Sequence, residues 1–266
     1  MIHALSTYMF SGHELTTALL ERIREAGIPL VEIFCEPRHF DYRNVSRVSD
    51  LAGWFKDSRL KLHSLHGPLT NIADREKIRR LDNVDEVKRA LDVAERIPFT
   101  YLIQHIGAKH EEYDPRKIDT TFSSLEVINL FAKHRGVEVL LENTPNEMST
   151  AERLRLFLDQ THLPNNFCFD IGHAHMEGSI AGEFDLMQDR IRSTHIHDND
   201  GFSDRHLPPL QGDPGTIDWN KAMTMLRKRD GQYPLMLSLK EQPDIERPET
   251  YAAETLKKLE DLREPE

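Results

Sequence analysis

Residues 193–206 read STHIHDNDGFSDRH, with three histidines and three aspartates in one short stretch. A loop rich in Asp and Asn is ordinarily a solvated turn. This stretch gains weight because other strand-like segments finish the same way. "LKLHSLH" ends at His66, "TYLIQHI" carries His105, "VEVLLEN" carries Glu142, and "NFCFDI" carries Asp170, with His173 just beyond. "IRSTHIH" carries His195 and His197, and its loop adds Asp204 and His206.

Three more β-rich runs, "IHALS", "LVEIFC" and "PLMLSLK", bring the strand candidates to eight. Amphipathic helical patterns lie between them: "HELTTALLERIREAG", "REKIRRLDNVDEVKRALDVAERI", "PRKIDTTFSSLEVINLFAKHRG", "TAERLRLFLDQ", "DWNKAMTMLRKR" and "PETYAAETLKKLEDL". Gly27 and Gly136 stand where helices should stop, and Ser11, Asp74 and Thr150 stand where N-caps would serve. "MEGSIAGEFDLMQD", interrupted by glycine, is the weakest helical segment. Regular strand–helix alternation with no composition break predicts one (β/α)8 TIM-barrel domain over residues 1–266. An open doubly wound sheet is the competing fold, but no Gly-x-Gly-x-x-Gly follows the first strand.

The 266 residues include 38% apolar and 30% charged side chains, and the formal net charge is -11. That charge argues against a broad electrostatic grip on nucleic acid and against anionic membrane surfaces. No secretory signal or spanning apolar run is visible, and Cys35 and Cys168 sit within apolar runs. A cytoplasmic location is expected.

In a barrel, chemistry collects at the C-terminal ends of the strands. The charged strand ends here follow apolar residues, as in "VLLE", "FCFD" and "YLIQH". A lone buried charge is costly unless paired or bound to a cation, and clustered carboxylates repel one another. A divalent metal removes both problems. Nitrogen and oxygen donors without thiolate suit zinc or manganese, with magnesium as a further option. His3, His13, His39, His63, His110, His134, His162 and His175 are read as structural.

The segments "LHSLHGPL", "LLENT", "FCFDIGHAH" and "HIHDNDGFSDRHLPPLQGDPGTIDW" resemble the xylose isomerase-like barrel superfamily, which holds sugar isomerases and epimerases and the endonuclease IV group. The resemblance implies a principal metal held by Glu142, Asp170 and His195, with the His195-to-Asp198 spacing leaving His197 outside the ligand set. It implies a second metal at His173, Asp204 and His206, and a third at His66 and His105 bridged by Glu142. One to three ions are therefore expected. The chain departs from the family on strand eight, where Ser238 stands at the position of a ligating Glu. Lys240 and Glu241 are the candidate replacements, and with Glu142 they form the candidate catalytic set. By alternation Lys240 shares the orientation of Ser238, whereas Glu241 points the other way unless the strand end bulges. Asn143, Arg205, Trp219 and Lys109 are candidates to bind substrate.

Three functions are compatible with these residues. The first is a metal-dependent isomerase or epimerase of a sugar or sugar phosphate. The second is an endonuclease IV-like phosphodiesterase on abasic DNA. Against it, Leu69 stands where that enzyme carries a tyrosine, and no loop interleaves basic and aromatic residues. The third is a barrel that binds metal or polyol without turnover. Oligomeric state is left open: dimers and tetramers are common among such barrels, but no exposed apolar stripe in the sequence marks an interface.

Overall fold

The protein is described by a computed structural model over residues 1–242 and 244–262. Eight parallel strands run around a nearly closed barrel: β1 (His3–Ser6), β2 (Leu30–Phe34), β3 (Lys61–His66), β4 (Tyr101–Gln104), β5 (Glu138–Glu142), β6 (Asn166–Asp170), β7 (Ile191–His195) and β8 (Leu235–Leu237). Neighbours pair in chain order and β1 pairs with β8. A bridge between Ile196 and Leu237 brings β7 to β8 and completes the circuit. Because both faces of each strand are covered, the strands read as nearly continuous apolar runs.

Two register shifts set which side chains meet at the strand ends. Between β2 and β3 the pairing steps from Val31↔Leu62 to Glu32↔Ser64, skipping His63. Between β6 and β7 it steps from Phe167↔Ile191 to Cys168↔Ser193, which sets Asp170 opposite His195.

The outer ring consists of α1 (Thr17–Glu25), α2 (Val45–Asp57), α3 (Lys77–Leu91), α4 (Ile118–Lys133), α5 (Ala151–Thr161), α6 (Ile171–Met176), α7 (Ile180–Met187), α8 (Trp219–Arg227) and α9 (Pro248–Asp261). Thr150 caps α5, and Gly27 and Gly136 take positive φ just past α1 and α4, as the sequence suggests. Two expected caps are displaced. Thr16 rather than Ser11 caps α1, because Thr7–Phe10 form a 3-10 turn that ends at Ser11. Glu76 rather than Asp74 caps α3, while Asp74 accepts a hydrogen bond from the Glu76 N–H. The segment between Asp170 and Ile191 is two short helices, not one.

A large apolar cluster fills the space between sheet and helices. A separate small cluster joins Ile103, Leu140 and Cys168. Leu140 and Cys168 lie two residues before Glu142 and Asp170, on the same faces of their strands, so the acidic ends rest on an apolar floor. Among the described residues, no helix is long and apolar enough to cross a membrane.

Candidate metal centre

The last residues of β3 and β5–β7, with the loops after β4 and β7, converge at the C-terminal mouth of the barrel. Ligand-type atoms of Glu142, Asp170 and His195 all lie within 4.8 Å of one another. The same holds for His66, His105 and Glu142, and for His173, His197, Asp204 and His206. Glu142 belongs to two groups, and Asp170 lies 3.0 Å from His197 of the other, so the three form one continuous site.

Each imidazole is oriented by its neighbours. His173 Nδ1 lies 2.8 Å from the Asn143 carbonyl and His206 Nδ1 lies 2.7 Å from the Ser238 carbonyl. Carbonyls only accept, so both Nδ1 atoms carry protons and Nε2 is the atom of each ring left to bind a metal, on His173 once its second proton has left. These Nε2 atoms face Asp204 Oδ1 at 3.6 Å and 3.1 Å. Asp204 Oδ1 is itself buried without a hydrogen-bond partner. Lone pairs that face one another across such a gap form a donor set for a cation. His105 Nε2 lies 2.8 Å from Glu142 Oε2, and His66 Nε2 lies 3.6 Å from the same oxygen.

His195 sits among three carboxylates. Its Nδ1 is 2.9 Å from Glu142 Oε1 and 3.7 Å from Asp170 Oδ2, while its Nε2 is 3.1 Å from Glu32 Oε1. His197, read from the sequence as outside the ligand set, touches two of the ligand candidates. Its Nε2 is 3.0 Å from Asp170 Oδ1, and its ring stacks on His206 at 3.7 Å. Gly172 makes this approach possible, since a Cβ there would lie 2.6 Å from His197 Nε2.

Four buried or mostly buried carboxylates therefore share a small volume. Burial alone would raise the Glu142 pKa, but His195 and His105 beside it hold it well below the usual carboxylate range. Asp170 is likewise lowered against its burial by His173 and His197. Burial opposes charge on His173, yet Asp170 and Asp204 raise it to about 9. Burial, aided by neighbouring His197, pushes His206 down to about 4.

A cavity of about 450 Å³ opens above these groups, its floor reaching His105, His173 and Asp204 and its walls including Tyr8, Lys109 and Lys240. Lys240 also donates through Nζ to the Asp204 carbonyl. The other candidates lie elsewhere. Glu241 is 51% exposed and pairs with His13 at 3.3 Å, so no bulge at the end of β8 turns it inward. Trp219 is buried at the start of α8, and its indole N–H donates to Asp198 at 2.7 Å. Arg205 is exposed and lies 3.7 Å from Asp200. Asn143 is committed to Asp170, donating to its carbonyl at 2.9 Å and accepting from its N–H at 2.8 Å. These four are corrections to the sequence reading: packing or pairing occupies each side chain away from the cavity.

Two residues escaped that reading. Asp198 accepts from the backbone N–H groups of Asn199, Thr216 and Ile217 as well as from Trp219, and so organises the loop after β7. Glu32 is fully buried in the middle of β2. It is brought to about 2 because His195, His66 and Ser64 outweigh the large opposing effect of burial. The available signal was a lone carboxylate inside an apolar strand, the same signal that marks Glu142 and Asp170.

Residues 20–262 match the model of the xylose isomerase-like TIM barrel family. A relative in Methanocaldococcus jannaschii, the uncharacterized protein MJ1311, is 27% identical over 230 residues, covering 82% of this chain and 78% of its own length. Among solved structures, a D-tagatose 3-epimerase-like protein superposes with a TM-score of 0.80 at 25% identity, over 98% of this chain and 97% of that one. The IolI protein, whose crystal structure holds a zinc atom, superposes at 0.81 with 19% identity, over 98% and 96% of the two chains. By its closed topology, its acidic and histidine-bearing strand ends and this family match, the chain belongs to the xylose isomerase-like TIM barrel family.

Proposed function

We propose that the protein is a divalent-metal-dependent isomerase or epimerase acting on a sugar or sugar phosphate. The observation that carries this reading is the cavity of about 450 Å³ that ends on His105, His173 and Asp204. Its size suits a small polar molecule rather than a polymer. The likeness to a D-tagatose 3-epimerase-like protein supports the same substrate class.

Glu142, Asp170 and His195 are the proposed ligands of the principal ion. His173, Asp204 and His206, with His197 beside them, form a second set, and His66 and His105 with Glu142 form a third. The orphaned Asp204 oxygen and the inward Nε2 lone pairs fit such a group. The all-nitrogen-and-oxygen donor set favours zinc or manganese. When bound, a divalent cation polarises a carbonyl or hydroxyl and acidifies the neighbouring C–H. Glu142 is the carboxylate proposed to accept that proton. Lys109 and Lys240 in the cavity wall are placed to hold substrate hydroxyls or a phosphate.

Strand eight shapes the reaction type. With Ser238 in place of a glutamate and Glu241 turned to His13, strand eight supplies no glutamate to pair with Glu142 as a second base. Proton return to one face by a single base suits aldose–ketose isomerisation better than inversion, which needs groups on both faces. A second reading is metal-dependent phosphoester hydrolysis. It is favoured by the three adjoining donor groups, since clustered cations stabilise attacking and leaving oxygens.

The test is solvent-deuterium exchange into a panel of aldoses, ketoses and their phosphates with the metal-loaded protein. Exchange abolished by Glu142→Gln supports the isomerase. No exchange, together with nicking of an abasic duplex, supports hydrolysis instead.

A further inference from the structure

We infer that Glu32 is a positioning residue of the proposed metal centre, acting through His195. It fixes which ring nitrogen of that histidine turns toward Glu142 and Asp170. The inference rests on the proposed metal-dependent function.

Glu32 lies on β2, across the barrel from β7 and 163 residues away in sequence from the histidine it meets. Both of its oxygens lie near His195 Nε2, at 3.1 Å and 3.2 Å. Ser64 Oγ donates to Oε2 at 2.8 Å, and the register shift that sets Glu32 opposite Ser64 makes that contact possible. An ionised carboxylate can only accept. Glu142 Oε1, 2.9 Å from Nδ1, is also an acceptor, so once Nδ1 gives up its proton to bind an ion beside Glu142 and Asp170, the proton that remains is the one Glu32 holds at Nε2. A carboxylate on the outer nitrogen of a ligating histidine fixes its tautomer and ring orientation and makes it a better donor. Removing such a partner typically lowers metal affinity by about 10–100-fold.

Burial supports the assignment. Glu32 is 0% exposed, and Ser64 and His195 are its only side-chain hydrogen-bond partners among the described residues. Four groups on four strands thus form a relay from Ser64 through Glu32 to His195 and on to Glu142. His66 stacks parallel to His195 at 5.7 Å and limits the tilt of its ring.

The test uses the full chain, stripped of metal and titrated with zinc in competition with a chelator of known affinity. Ring nitrogen-15 shifts of His195 in the zinc-loaded protein report which nitrogen keeps the proton. Glu32→Gln is expected to lower zinc affinity by about 10–100-fold and to give a His195 tautomer mixture. Ser64→Ala should lower affinity by less, in the same direction, and serves if Glu32→Gln fails to fold. Wild-type zinc affinity and an unchanged tautomer in a folded Glu32→Gln, or in Ser64→Ala if that is the only variant that folds, overturn the inference. So does loss of stability alone with affinity intact, since that is what a purely structural carboxylate would give. A wild-type chain that binds neither zinc nor manganese refutes the metal reading itself, an outcome distinct from equal affinity in wild type and variant.

Discussion

Gly172→Ala isolates the close packing on which the donor cluster depends. Gly172 lies in α6 with φ outside the left-handed region, so its backbone would accept alanine. Helix propensity alone would favour that change by up to about 1 kcal/mol. The new Cβ, however, would stand 2.6 Å from His197 Nε2 and closer still to Nδ1 and Cε1. Carbon and nitrogen normally rest about 3.5 Å apart, so the ring must retreat by about 1 Å or more. It has nowhere to go: His197 is 0% exposed, stacks on His206 at 3.7 Å and reaches Asp170 at 3.0 Å. Overpacking of this kind costs about 1–3 kcal/mol, and breaking a hydrogen bond to a charged group adds about 1.5–3 kcal/mol. Net of the propensity gain, the variant should lose about 1.5–5 kcal/mol by urea unfolding of metal-free protein, and zinc affinity should fall. In a His197→Ala background the same substitution should become neutral or stabilising, a coupling that a double-mutant cycle reads directly. Gly172→Ala with wild-type stability and affinity would refute this packing.

Asp198→Ala should strip four donors of their acceptor and cost about 3–5 kcal/mol in chemical denaturation; a loss below about 1 kcal/mol would mean the loop after β7 is held by something else. Burial pushes His63 down to about 4 and lowers His39 as well, so the unfolded chain takes up protons that the native one refuses. Stability of the metal-free protein should accordingly fall as pH drops from about 6.5 toward 4, by about 3 kcal/mol at most from His63, and His63→Phe should flatten that dependence in denaturation curves at pH 7 and 4.5. Lys109→Ala should raise KM for a phosphorylated substrate by about tenfold while sparing its unphosphorylated counterpart in steady-state kinetics. Equal effects on both would remove Lys109 from phosphate binding.

The barrel was legible because its signals are local. Short apolar runs bounded by helix patterns and glycine stops need no tertiary knowledge, and all eight strands fall inside the segments read as strands. Helix α2 was not among the segments picked out, since only Val48 and Leu51 are buried along it and Gly53 interrupts its pattern. The acidic and histidine-bearing strand ends were visible for the same local reason. Partner choice was not. Glu32 meets His195 only because a closed barrel and a register shift bring them together, and no spacing in the sequence encodes that contact. His195 and His197 have the same strand parity, so alternation could not say which reaches Asp170, and both do. For Glu241 alternation gave the right direction, outward, and its pairing with His13 supplies the reason.

Metal content per chain, measured by elemental analysis after loading with zinc or manganese and removing excess, tests the central claim most directly. The wild type should retain one to three ions, and Glu142→Ala should empty the two groups that share Glu142. The group of His173, His197, Asp204 and His206 does not include Glu142 and should keep any ion it holds. A folded wild-type chain that retains no ion, or a Glu142→Ala variant with undiminished content, would contradict the account.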